Sequence, residues 1–226
     1  VTPAASASPV VADQLDRTEP AWRREARLLA IDWMGEHPMP TGHDESWRYT
    51  AVDELLTALA DATEKEATEP DVAQILALAG DHGGARLVLV NGVVAEAASQ
   101  LDPIDGLTLA PFSALTSGGS APTVLDGERA DGFLALNWRA GADGASVEIA
   151  PGATIEQPVH LVHVAVPSAD GTLLTNPCSV LRIGAGARVT VIETYVGVAG
   201  AALTNAATTI DIADDAALTY HRVQAE

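Results

Sequence analysis

Lysine is nearly missing from this 226-residue chain. Lys65 is its only one among 12 basic residues, against 31 acidic ones and a formal net charge of −19. A surface of that sign repels phosphate backbones and anionic lipid, which argues against nucleic-acid and peripheral membrane binding. It reads as a solubility or high-salt adaptation. Cysteine is limited to Cys178, so an internal disulfide is excluded and the usage fits a reducing, cytoplasmic setting. Aromatic residues make up 4%, which leaves packing to Val, Ile, Leu and Ala. No apolar run reaches the roughly 18–20 residues of a spanning helix, and no basic-then-apolar secretory signal is evident at the start. Hydrophobic residues still account for 47%, enough to bury a core in one large or two small domains.

An imperfect repeat organises the second half. Around Ile183 the pattern is strand, tight turn (Gly184, Ala185, Gly186, Ala187), strand. It returns around Ile149 and Ile212, at steps of 34 and 29 residues, with alanine at Ala153, Ala187 and Ala216. A β-branched or leucine residue follows two positions later, at Ile155, Val189 and Leu218. Repetition at about 30 residues is a signature of solenoids. The expectation is that the three alanines occupy equivalent corners.

Ahead of the repeat, residues 1–19 read as a disordered arm. Residues 20–80 read as a helical N-terminal domain. Trp22, Ala26, Leu29 and Trp33 recur at helical spacing as an apolar stripe, with Gly35, Pro38 and Pro40 ending the helix. Thr50 is placed as the cap of a second helix carrying Val52, Leu55, Leu56 and Leu59, and DVAQILALA as a third. ATEKEATEP is a polar linker. From residue 81 strands take over, beginning with a hairpin at Asn91-Gly92. Leu101 to Gly127 reads as loop, with a short helix near Pro111 to Leu115. FLALNW, ASVEIA, TIEQPVHLVHVAV, SVLRI, ARVTVIETYVG, LTNAATTIDI and ALTYHRVQ read as strands. The fold class expected is α+β: a small helical domain, then a parallel β-helix occupying 81–226, apparently truncated.

Constellations for chemistry are few. His160 and His163 lie three apart, which on a strand sends them to opposite faces, one packed and one exposed. Cys178 reads as a buried, inert thiol. TSGGSAP and GDHGGA lack the lysine of a phosphate-cradling loop. Glu193, inside the apolar strand VIETYV, is charged where a buried charge needs partners, and reads as a satisfied structural carboxylate. No residues are expected to bind metal or to catalyse.

The run EARLLAIDWMGEHPMPTGHDESWRYTAVDELL resembles the N-terminal region of the SufB/SufD family of iron–sulfur cluster assembly scaffolds, in its SufD branch. The matching positions are Arg27 with Ala30, Gly35 to Pro38, Glu45, Trp47, Arg48, Tyr49 and Thr50. Farther along, Asn91-Gly92, Asn137, Pro158, Glu193, Asn205 and Gln224 also find matches, so the likeness covers roughly Ala21 to Glu226. The Trp-Arg-Tyr-Thr segment favours SufD over a SufB-like paralogue.

The resemblance implies a non-enzymatic, cytoplasmic scaffold that pairs with SufB-like and SufC-like subunits, the latter an ATPase. It implies that the iron–sulfur cluster is handled by the whole complex, with no cofactor bound by this fragment. Its family-motif residues Trp47, Arg48, Tyr49, Thr50, Glu193 and Asn205 are then structural. Family members are about twice this long, so the chain is expected to be a fragment. Its open end would be covered by another chain or by swapped strands, in a homo-oligomer. A carbohydrate-active β-helix protein is the alternative, and it needs converging carboxylates on one face.

Overall fold

The computed structural model describes residues 19–63, 71–115, 130–167, 171–198 and 200–226. The expected arm, the ATEKEATEP linker and the TSGGSAP stretch lie largely or wholly outside them. Pro20 opens α1 (Ala21–Glu36), which ends where His37 turns extended. Its buried face is Arg23, Ala26 and Ala30; of the expected stripe Trp22, Ala26, Leu29 and Trp33, Ala26 is buried and Trp22 packs against the same cluster, but Leu29 does not. Leu29 is 54% exposed, and the buried Arg23 lies on the contact face with carboxylate partners.

Helix α2 (Val52–Asp61) starts at Ala51 with no side-chain cap. Thr50 instead closes a turn, donating its N–H to Trp47 O at 2.9 Å. After the short strand β1 (Ala62–Thr63) comes α3 (Val72–Ala79), whose N-cap Asp71 accepts from Ala73 N. Strands β2 (Arg86–Val90) and β3 (Val93–Val94) form the expected hairpin. Asn91 and Gly92 both take positive φ there, 50° and 79°, as this tight turn requires. Strand β4 (Leu107–Pro111) lies in the stretch expected to be loop, and a 3₁₀ turn follows at Phe112–Ala114.

Helix α4 (Gly132–Ala140) precedes β5 (Ala145–Ile149), β6 (Val159–Ala165), β7 (Thr172–Thr175) and β8 (Cys178–Ile183). The chain closes with β9 (Arg188–Gly197), β10 (Ala202–Thr204), β11 (Ala207–Ile212) and β12 (Ala217–Ala225). Among the described residues the strands form three sheets, in the orders β1-β7-β10, β11-β8-β5-β4 and β12-β9-β6-β2-β3.

The expected fold class, α+β with a small helical N-terminal domain followed by a parallel β-helix, is corrected. Among the described residues the chain is α/β with mixed sheets: four helices and mostly parallel strands, with β3 and β4 antiparallel to β2 and β5. Helix α4 occupies the FLALNW segment expected to be strand, and β1 falls among the first helices. A short apolar run carries no decisive period. Here the Asp131 side chain accepts from Leu134 N and caps a helix.

The repeat itself predicts register well. Ile149, Ile183 and Ile212 are partners across β5, β8 and β11. Arg188 N donates to Ala153 O and Ala217 N to Ala187 O, both at 2.8 Å, so the three alanine turns stack in order. Gly184 is required at this stacking: a Cβ there would meet Ile149 O at 2.7 Å. The main core fills the space between the four- and five-stranded sheets, with Leu87, Leu161, Val147, Leu181 and Val191 fully buried. A second cluster lies under α3, around Ile75, Val88 and Val162. A third joins Ala26 and Ala30 of α1 to Phe112, Trp138, Cys178 and Val180.

Candidate functional site

Side chains alternate along β9, so Val189, Val191, Glu193 and Tyr195 all face the space between the sheets. The first two join the apolar core; the next two do not. At Glu193 the interior changes from apolar to polar. The carboxylate is 0% exposed and gathers donors from four other strands. Ser179 Oγ of β8 donates to Oε1 at 2.5 Å, and Thr208 Oγ1 of β11 donates to Oε2 at 2.8 Å. The Tyr220 hydroxyl of β12 also donates to Oε2. His163 Nε2 of β6 lies 3.2 Å from both Oε1 and Ser179 Oγ. Burial by itself raises a carboxyl pKa. The bonds from His163, Ser179 and Tyr220 outweigh it and bring Glu193 down to about 2. The Tyr220 phenol moves the other way, up to about 12, through burial and its bond to the carboxylate.

A stack continues the polar zone toward the sheet edge. The His163 ring lies on Tyr195 at 5.0 Å, and the Arg222 guanidinium sits 4.7 Å over the opposite strand's Tyr195 ring. Register explains the gathering: Ser179 pairs with Thr208, and Glu193 with Leu161 and Arg222.

A serine, a histidine and a carboxylate in contact invite comparison with a nucleophilic triad. The geometry does not match one. In a triad the imidazole stands between hydroxyl and carboxylate and uses both ring nitrogens. Here Ser179 bonds the carboxylate directly, and the same Nε2 touches both groups. The arrangement can hold a charge in place and specify strand register. Among the described residues no group of three or more His, Cys, Asp or Glu is placed to hold a metal ion.

The family-motif residues separate into three places. Trp47 packs on the Phe133 ring at 4.9 Å, and Asn205 Nδ2 donates to Phe133 O at 2.8 Å, so these two meet at α4. Asn205 O in turn accepts from Asn137 Nδ2 at 2.6 Å, and the same nitrogen reaches Pro177 O at 2.7 Å. Arg48, Tyr49 and Thr50 lie on the surface turn before α2, where Arg48 pairs with Glu45 at 2.9 Å and covers the Tyr49 ring. Tyr49 is 89% exposed. Glu193 stands apart in the interior. Sequence reasoning named Glu193 but missed Ser179, His163, Thr208 and Tyr220 as its partners. The repeat offered a signal for one pair, since Ser179 and Thr208 occupy matching places in successive copies.

His160 and His163 do face opposite ways, but both are buried, at 1% and 5% exposure, so the expectation that one is exposed fails. His160 Nε2 bonds Thr194 Oγ1 at 2.9 Å, while its Nδ1 has no partner among the described residues. Burial, with the His82 ring at 4.7 Å and Arg86 nearby, brings His160 down to about 4; Asp81 opposes the shift. Between about 4 and the ordinary 6.5 the unfolded chain therefore binds a proton that the folded chain does not. Stability should rise with pH across that window. Urea titrations should show that rise flattened in His160→Gln; an unchanged slope would refute the assignment. Cys178 is 4% exposed, and burial lifts its thiol to about 12.

No protein-family model matches the chain, and no curated protein matches it at a significant level. Among the described residues no helix is long and apolar enough to cross a membrane.

Proposed function

We propose that this chain is a non-enzymatic scaffold subunit of a Suf-type iron–sulfur cluster assembly machinery, acting in the cytoplasm with SufB-like and SufC-like partners. One observation carries the reading. Five of the residues that give the sequence its likeness to the SufB/SufD family, Trp47, Asn91, Asn137, Glu193 and Asn205, join separate parts of this fold. Asn91 exchanges two bonds with the Val166 backbone, at 2.8 and 3.1 Å. Asn137 and Asn205 tie α4 to the ends of the sheets, Trp47 anchors the surface turn to α4, and Glu193 ties five strands together. Positions with such tasks are the ones a shared architecture would retain.

In this reading the cluster is cargo of the assembled complex, and SufC-like ATP hydrolysis supplies the work. The chain contributes a rigid frame. Co-expression with SufB-like and SufC-like proteins tests it. Co-purification of all three through affinity and size-exclusion steps is the expected outcome. Failure to associate with either protein would overturn the reading, and cleavage of a glycan by the isolated chain would replace it with the carbohydrate-active alternative.

A further inference from the structure

The GDHGGA stretch joins α3 to β2 and carries a histidine onto the outer face of the five-stranded sheet. Gly80, Gly83 and Gly84 all take positive φ, at 79°, 68° and 73°. The loop they shape presses on the chain entering β6, where a Cβ at Gly84 would meet Pro158 O at 2.5 Å. The His82 ring lies between the helix end and the sheet. Its Nε2 is 3.3 Å from where a Cβ on Gly80 would stand, and the ring meets that of His160 edge-on, with centroids 4.7 Å apart. One exposed side chain thus covers a buried one and touches the end of α3.

His160 shares the outer face of β6 with Val162 and Val164, which α3 covers through Ile75 and Ala79. An imidazolium needs an acceptor at each of its two nitrogens. His160 Nε2 has the Thr194 hydroxyl of β9 at 2.9 Å, but Nδ1 has no partner among the described residues. The charged and titratable groups around it are Arg86, its register partner on β2, and Asp81 and His82 of the loop. On the other side stands Ile192, with His221 of β12 one strand farther. Helix α3, VAQILALA, carries no titratable side chain. Asp81 is already bonded to Arg86 Nη1 at 3.2 Å and to Gly83 N at 3.1 Å. A proton on His160 therefore finds a guanidinium beside it, a second imidazole over it and no carboxylate left to receive it.

We propose that residues 80–84 are an acid-released latch: protonation of His160 drives the His82 ring off it, and the opened loop frees α3 from the sheet. Local opening is the cheap response, since α3 has eight residues and two buried side chains, Ile75 and Ala79, too little to hold a helix once its end is loose. The consequence is exposure of the apolar strip of Val88, Val90, Val162 and Val164 beneath it. The sign follows from burial, which brings His160 from 6.5 down to about 4 in the closed form. Opening returns the ring to water and takes up a proton, so the latch is whole above about 6.5 and weakens as the pH falls toward about 4. Between about pH 7.5 and about pH 5 the opening equilibrium should rise roughly thirtyfold. Glu193, brought down to about 2, stays ionised throughout that window. Such a latch would operate whatever the chain's partners.

Native-state hydrogen exchange on the full chain at those two pH values, corrected for the intrinsic exchange rates, tests it. The expected result is a roughly thirtyfold loss of protection in α3 at the lower pH, with the amides of β6 and β9 unchanged. His160→Gln can keep the bond to Thr194 but takes up no proton, and should leave α3 protected at both values. His82→Ala, at an exposed position, should keep the fold even if His160→Gln does not, and should shrink the step by leaving His160 uncovered. Equal protection of α3 at the two values overturns the proposal, as does a loss shared by β6 and β9. A step of full size in either variant overturns it as well.

Discussion

Glu193→Ala should lower the melting temperature by roughly 10 °C, corresponding to about 3–5 kcal/mol, the usual cost of breaking a buried charged network from one side. The substitution takes the acceptor from Ser179, Thr208, Tyr220 and His163 at once; Ser179 and His163 are buried and have no water to turn to, while Thr208 and Tyr220 are half-buried. Glu193→Gln keeps the volume but points an amide NH₂ at hydroxyl donors, so its loss should be smaller. The charge also sets a pH dependence. The folded pKa of about 2 lies below the ordinary 4.5, so the folded state holds the ionised form more tightly than the unfolded chain does. Its contribution is whole above about pH 4.5 and disappears as the pH falls toward about 2, on the order of 3 kcal/mol in all. Chemical denaturation across that range should show a steep loss in the wild type and a shallow one in Glu193→Gln. Equal slopes would mean that the carboxylate is not held in its charged form.

Arg23→Ala should cost about 3 kcal/mol and loosen α1 before the sheets melt. Arg23 is 5% exposed and its guanidinium is shared among three acceptors. Nη1 donates to Asp143 Oδ1 at 3.2 Å, Nη2 to Gly141 O at 2.6 Å, and Nε lies 3.0 Å from Glu19 Oε1. Burial and the neighbouring Arg27 lower the Arg23 pKa, while Asp143 and Glu19 counter them. Arg27 uses the same Gly141 O at 2.5 Å, so two helix residues grip one loop between α4 and β5. Lysine at position 23 should rescue little, since one ammonium cannot span three separate acceptors as a planar fork does. Native-state hydrogen exchange gives the readout: amides of α1 should lose protection in Arg23→Ala while those of β6 and β9 keep theirs. Uniform loss across both regions, or no loss in α1, would contradict a local clamp.

Much of the local structure was legible. Pro20 and the Gly35-Pro38 break bracket α1, Asn91-Gly92 makes its hairpin, and the alanine turns predict which strands lie side by side. These signals are local: a fixed φ, a positive φ, a repeated turn. The FLALNW segment misled because six apolar and polar residues in a row suit strand and helix alike, and the cap at Asp131 decides between them. The Arg23 face misled for another reason. A charge is ordinarily assigned to the solvent side of a helix; here Glu19 together with Asp143 and the Gly141 carbonyl, both far away in sequence, makes burial acceptable.

The sequence by itself determined the stacking register, through the spacing of Ile149, Ile183 and Ile212 and of Ala153, Ala187 and Ala216, because each turn must hydrogen-bond the next. It also marked Glu193 as a charge in need of partners. Which partners, only the tertiary structure decided. Ser179, His163, Thr208 and Tyr220 sit on four strands that nothing local connects, and they converge because the sheets close around one interior. The same closure placed α4 against α1, since contact between segments distant in sequence is a property of the packed fold and not of any one segment.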